Sequence, residues 1–259
     1  MQQGHTCPVK TLAAVVLLLF GGGCFAQSAY PEPEAAAAWR GVAASYVRKA
    51  IRDQTLEKDP AINSRVDAVM AAVGAAVAVF EPRYAHTLWR AILIEDFGHG
   101  AAAFPGQTIL VDAKFVRRLQ LNDDELALIF AHEAAHVLAG HASAKLSFMA
   151  EFLGKEKVPD AHTALLEFLA TDSYAAVFLP IARLQEREAD RLGATIFLSS
   201  GYDPQRALAL FDKLAGMETR ESGTANDSHD GALVRKQAVS RVFTDLQRIQ
   251  ARSVKHDQQ

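Results

Sequence analysis

Asn122-Asp123-Asp124-Glu125-Leu126-Ala127-Leu128-Ile129-Phe130-Ala131-His132-Glu133-Ala134-Ala135-His136 decides how this chain is read. Glu125 stands three residues after Asn122, the spacing of a capping box, so a helix starts here. Leu126, Ile129, Phe130 and Val137 then recur at helical spacing. Inside that helix His132 and His136 are i and i+4, so they share a face and their imidazoles can converge on one ion. Glu133 lies about 100° further round, where it reaches a water on the ion rather than the ion itself. Zinc brings the pKa of such a water towards about 7, and a carboxylate can then remove its proton. Without a metal, two histidines on an otherwise apolar stripe would need other polar partners.

Catalytic zinc takes three protein ligands and leaves one position open. His141 is five residues after His136, about 140° away on a continuous helix, and reads as a surface or supporting residue. Gln185-Glu186-Arg187-Glu188-Ala189-Asp190 is the better source. Glu186 and Asp190 are again i and i+4, so one carboxylate can bind the metal while the other orients a ligand histidine through its free N–H. Glu188 faces elsewhere.

These two motifs, H-E-x-x-H and Glu186-Arg187-Glu188-Ala189-Asp190, resemble the signature of the zinc metallopeptidases of HtpX, BepA and the CaaX prenyl protease. The resemblance runs from about Asn63 to about Val242. It implies a zincin-like peptidase domain, Glu186 as third zinc ligand beside His132 and His136, Glu133 as catalytic base, and Asp190 as the residue that supports a ligand. It further implies a substrate-binding strand, here Thr108, Ile109, Leu110 and Val111, after the partial match Gly100 to Gln107. Ser228-His229-Asp230 with Arg235 six residues after the histidine matches a family element whose proline is replaced here by Asp230. By that resemblance His229 or Arg235 stabilises the oxyanion. The family's membrane-embedded branches differ from this chain, which looks like the exported, soluble or lipid-anchored branch.

Working outward, Pro31–Asp53 and Asn63–Val79 read as helices, the second capped by Asn63 or Ser64. Thr87–Ile94 and Thr108–Val111 read as strands, with a Gly/Ala/Pro loop from His99 to Gly106 between them. Lys145–Leu184 reads as two or three helices broken near Gly154–Asp160, and Ile181–Ser199 as a helix ending at Gly201. Asp203-Pro204 is a cap, Met217–Asp230 a loop and Ala232–Ser253 a final helix. The expected class is mainly α with a small β-sheet, in one metallopeptidase domain from 27 to 259 with a catalytic core of about 63–242.

Residues 1–26 read as an export signal: Lys10, the apolar run Leu12–Phe20, then Gly21-Gly22-Gly23-Cys24-Phe25-Ala26. Cleavage before Gln27 gives a soluble product; the Gly23-Cys24 pair alternatively suggests a lipoprotein anchored through Cys24. The run is too short to span a bilayer, and no later segment reads as a span, since Glu167, Asp172 and Pro180 interrupt the most apolar one, Ala161–Leu184. With 259 residues, 50% hydrophobic, 22% charged and net charge −3, the chain is globular and shows no basic excess that would point to nucleic acid. Its two cysteines, Cys7 and Cys24, exclude a Cys-rich zinc site in the body of the chain.

The expectation is a zinc endopeptidase with one Zn2+ per chain, acting on extended protein or peptide segments, including misfolded or envelope proteins. Its expected place is the bacterial periplasm, with association with the outer membrane. The competing class is a non-proteolytic chaperone or outer-membrane assembly factor that keeps a zinc site. A structural site needs no base and is usually closed by four ligands, mostly cysteine, so Glu133 argues against that class.

Overall fold

The computed structural model describes residues 28–218 and 230–256. The export signal, Cys24 and His229 lie outside the described residues. Helix α1 (Glu32–Arg52) is followed by α2 (Pro60–Phe80) and a 3-10 turn (Pro82–Tyr84). Three strands follow, β1 (Arg90–Ile94), β2 (Ala101–Phe104) and β3 (Thr108–Asp112). Helices α3 (Ala113–Arg118), α4 (Asp123–Leu138), α5 (His141–Leu153), α6 (Ala161–Ala170) and α7 (Asp172–Leu198) come next. Two short helices, α8 (Pro204–Ala207) and α9 (Ala209–Glu218), precede α10 (Ala232–His256). The class is therefore mainly α with a small sheet, as expected.

Local chemistry sets the boundaries. The capping box forms: Asn122 Oδ1 accepts from the Glu125 N–H at 2.9 Å, and the Asn122 N–H donates to Glu125 Oε2 at 2.8 Å. Lys213 donates to the same buried Glu125 oxygen at 2.6 Å, which ties α9 to the start of α4. Asp203 caps α8 by accepting from Gln205 and Arg206. Helix α2 begins earlier than the sequence reading. Its cap is Asp59, which accepts from the Ala61 N–H, and Pro60 occupies the first helical position.

The sheet differs from expectation in order and in membership. Its strand order is β1-β3-β2, with β1 parallel and β2 antiparallel to β3. Thr108–Val111 is thus the central strand, its ladder already paired on both sides, and it cannot take up a substrate strand. The segment read as a loop, His99–Gly106, contains the edge strand β2. It pairs Ala101 with Val111, Ala102 with Leu110, Ala103 with Ile109 and Phe104 with Thr108.

Successive side chains of β3 point to opposite faces, and each face has its own apolar cluster. Ile109 and Val111 join α2, α4, the end of α7 and α10, through residues such as Val73, Phe130, Phe197 and Phe243. Leu110 joins α1, α5 and α6, through Trp39, Leu146 and Met149. Helix α2 is long and apolar enough to cross a membrane by length and composition, which the sequence reading missed. Its Val66, Val69, Met70, Val73 and Val77 are core residues here. The pair α6 and α7 passes the same test only together, across a bend of 103°.

Candidate active site

Helix α4 delivers His132, Glu133 and His136; α7 delivers Glu186 and Asp190. Three of these converge. His132 Nε2 is 3.1 Å from His136 Nε2 and 3.2 Å from Glu186 Oε2, and His136 Nε2 is 3.6 Å from Glu186 Oε2. Ligand atoms at the corners of a tetrahedron around zinc, each about 2.0–2.1 Å from it, are about 3.3 Å apart. His132, His136 and Glu186 form the group among the described residues that could hold a metal ion.

The outer nitrogens of both histidines are engaged, and this fixes where the protons lie. His132 Nδ1 is 3.0 Å from Asp190 Oδ1, an acceptor, so in the neutral ring that a metal requires the proton belongs on Nδ1 and Nε2 keeps its lone pair. His136 Nδ1 is 2.8 Å from His141 Nδ1, and His141 Nε2 is 3.3 Å from Glu188 Oε2. The carboxylate at the end of that chain accepts a hydrogen bond from His141 Nε2–H. His141 Nδ1 then accepts from His136 Nδ1–H, and His136 Nε2 is also a bare acceptor. Two nitrogen lone pairs and a carboxylate oxygen thus face one point, which suits a divalent cation.

Asp190 is held from its other side by Arg235, whose Nε and Nη2 donate to the two carboxylate oxygens at 2.9 and 2.8 Å. Burial would raise the Asp190 carboxyl, but the hydrogen bonds from His132 and Arg235 outweigh it and hold it well below the usual carboxylate range. Burial likewise opposes a charge on His132. In the metal-free protein Asp190 and Glu186 outweigh that burial and raise His132 to about 9. For Arg235, expected as an oxyanion donor, the structure shows a different contact: two of its five N–H groups are spent on Asp190, the carboxylate that meets the His132 ring. Asp230, beside the undescribed His229, pairs with Arg187 of α7 at 2.7 and 3.1 Å, one residue from Glu186.

His141 is the supporting residue that the sequence placed only loosely. Helix α4 stops at Leu138, and Gly140 with φ +69° turns the chain so that α5 starts at His141 and brings its ring back onto His136. Burial, and then the neighbouring His136, pull the His141 pKa down to about 3. Because the folded value is depressed, the unfolded chain protonates first, and stability falls as pH drops from about 6.5 towards 3. From pH 7 to pH 5 this contributes a loss of about 2 kcal/mol. His132, raised when folded, contributes in the opposite sense, and its share is complete below 6.5. Urea unfolding of metal-free wild type and of His141→Asn at both pH values should show the variant losing about 2 kcal/mol less. Equal losses would refute the assignment of His141 as a buried neutral ring.

Glu133 projects into a cleft of about 490 Å³ that is lined by His132, His136, Glu186, and Ala101–Ala103 of β2. Its Oε2 accepts from the Ala103 N–H at 2.7 Å. That N–H therefore points away from β3. Since Asp112 N–H donates to Gly100 C=O on the inner side at 2.7 Å, residues alternate, and the N–H and C=O of Ala101 and the C=O of Ala103 face outward. The edge that borders Glu133 is thus β2, not Thr108–Val111.

The profile of peptidase family M48 matches residues 59–243, most of the chain, and spans every residue of this cluster. The chain belongs to peptidase family M48. M48 peptidases are zinc enzymes, in keeping with the His132, His136 and Glu186 triad. Three curated relatives are mitochondrial metalloendopeptidases called OMA1. The one from Schizosaccharomyces pombe is 28% identical over 135 residues, 50% of this chain and 39% of that protein. The one from Arabidopsis thaliana is 28% identical over 131 residues, 49% of this chain and 26% of that protein. The one from Saccharomyces cerevisiae is 27% identical over 136 residues, 50% and 38% respectively. The chain thus matches well under half the length of each relative. These relatives, mitochondrial by name, contradict the expected periplasmic location and its lipoprotein variant, and that expectation is withdrawn. An apolar run followed by small residues describes a targeting segment without saying which membrane it addresses.

Proposed function

We propose that this M48 domain is a zinc endopeptidase that hydrolyses extended, unfolded segments of other proteins. The observation that carries the reading is a cluster of three potential ligands with a carboxylate beside it, in a cleft bordered by the outer edge of β2. Zinc held by His132, His136 and Glu186 would polarise the scissile carbonyl and acidify a bound water. The chain's own residues do the rest. An extended substrate adds to the β2 edge through the outward groups of Ala101 and Ala103. Glu133, aimed by the Ala103 N–H, accepts the water proton and passes it to the leaving nitrogen. Asp190 with Arg235, and His141 with Glu188, hold the two ligand rings. A chaperone with a purely structural metal has no use for Glu133 in the cleft.

Purified protein should hold one zinc per chain and cleave casein, and chelation should stop the cleavage. Glu186→Ala should lose the metal, whereas Glu188→Ala should keep it, because Glu188 touches His141 and is half exposed. Asp190→Ala should weaken zinc binding by about 10–100-fold. Metal analysis and zinc titration of the three variants decide this. Zinc content that follows Glu188 rather than Glu186 would overturn the ligand set.

A further inference from the structure

Lys145 lines the same cleft as Glu133 and Glu186. It lies one helical turn after His141 on α5, on the same face of that helix. Its Nζ sits over the ring of Trp39, 5.7 Å from the centroid. Trp39 is buried and fixed, its Nε1–H donating to the Ala142 carbonyl of α5 at 2.9 Å. Among the described residues Lys145 has no hydrogen-bond or ion-pair partner, and its Nζ rests over the Trp39 ring. Burial pulls its pKa down, while Glu186 and Glu133 pull it up from a distance. Lys145 is half-buried, and a partly desolvated cation without a direct counter-ion is costly.

The charge balance of the cleft sharpens the point. The two charges of a zinc ion are matched by Glu186 and Glu133, and Asp190 is matched by Arg235. Among the residues that line the cleft, Lys145 is left as the cation with no direct partner. It is bonded to neither of the carboxylates that flank the metal position, so it stands back from the reacting carbonyl, against the Trp39 wall. In an extended substrate along β2, alternate side chains point to opposite sides, and one of them can reach that wall.

We propose that Lys145 and Trp39 form a specificity subsite for an acidic side chain, Asp or Glu, of the substrate next to the scissile bond. The proposal rests on the peptidase reading and names the substrate preference of the same cleft. A carboxylate there completes the ion pair that the free protein lacks. Its methylenes can lie on the indole, beside the Lys145 Nζ that sits over the same ring.

The test uses pairs of peptides that differ only by Glu or Gln at one position, scanned across the cleaved bond. Wild-type zinc protein should prefer the Glu member at one position by about tenfold or more in kcat/KM, the scale of a hydrogen bond to a charged group. In Lys145→Met the ratio should fall to about one. Lys145→Arg should retain it, and Lys145→Glu should favour a Lys peptide at that position. Binding is read separately in zinc-loaded Glu133→Gln protein by the fluorescence of its two tryptophans, one of which is Trp39. If Lys145→Met slows the Glu and Gln members equally, or binds them with the wild-type preference, the subsite is refuted. If wild type cleaves no peptide while Glu133→Gln still binds the Glu member better, the peptidase reading fails and the subsite stands.

Discussion

Glu133→Gln should keep its zinc and lose about 10²–10⁴-fold in the rate of peptide hydrolysis. The change is nearly isosteric. The Gln amide oxygen can still accept from the Ala103 N–H that Glu133 now accepts from at 2.7 Å, so β2 and α4 should keep their spacing. The ligand atoms on His132, His136 and Glu186 are untouched. What disappears is the basicity needed to take a proton from water and return it to the leaving nitrogen. Zinc per chain by mass spectrometry and single-turnover cleavage of casein peptides separate the two effects. Loss of zinc in step with activity would make Glu133 a ligand and refute its role as base. Undiminished cleavage would refute the mechanism outright.

The parts of the site carried by single helices were legible in the sequence, because helix periodicity is local. His132 and His136 at i and i+4, the Asn122 capping box, and Glu186 with Asp190 one turn apart all follow from spacing along one element. The break near Gly154–Asp160 was equally local. The misread parts depend on partners far away in the chain. Ala101-Ala102-Ala103-Phe104 has three alanines between glycines, a composition with little strand preference, and becomes a strand only through pairing with β3. Which strand is central cannot be read from either strand alone. Arg235 stood at a suggestive spacing, but nothing in that spacing told that Asp190 occupies its guanidinium. His141 was placed on a continuous helix that Gly140 in fact breaks. The Asp59-Pro60 cap carried the same signal as Asp203-Pro204, which was read correctly. Lys145 showed no signal, since its meaning comes from Trp39, 106 positions earlier.

A glycine that drew no notice in the sequence sets the distance on which the site depends, and its replacement should be the most disruptive change outside the ligands. Gly193 lies on α7, three residues after Asp190 and seven after Glu186, hence on the same helix face. A Cβ at Gly193 would stand 2.8 Å from His132 Cα, 2.9 Å from His132 N and 3.1 Å from Ala131 C. These are backbone atoms of α4, so no side-chain rotation can relieve the contact. Fully buried Ala131, Ala134, Ala135, Ala189 and Ala194 keep both helix surfaces low around this point. Gly193→Ala must therefore push α7 off α4 and carry Glu186 and Asp190 away from His132. Helix propensity alone favours alanine by about 0.5–1 kcal/mol, so the sign of the effect is diagnostic. Gly193→Ala should cost about 1–3 kcal/mol through overpacking and should lower zinc affinity by at least about tenfold. Gly41 on α1 is the control, for nothing lies within 4 Å of a Cβ there, and Gly41→Ala should stabilise the protein slightly. Thermal unfolding of the metal-free variants and zinc titration give both readouts. If Gly193→Ala behaves like Gly41→Ala, the helices are not held by their backbone contact. The placement of the third ligand must then come from the Asp190–Arg235 pair instead.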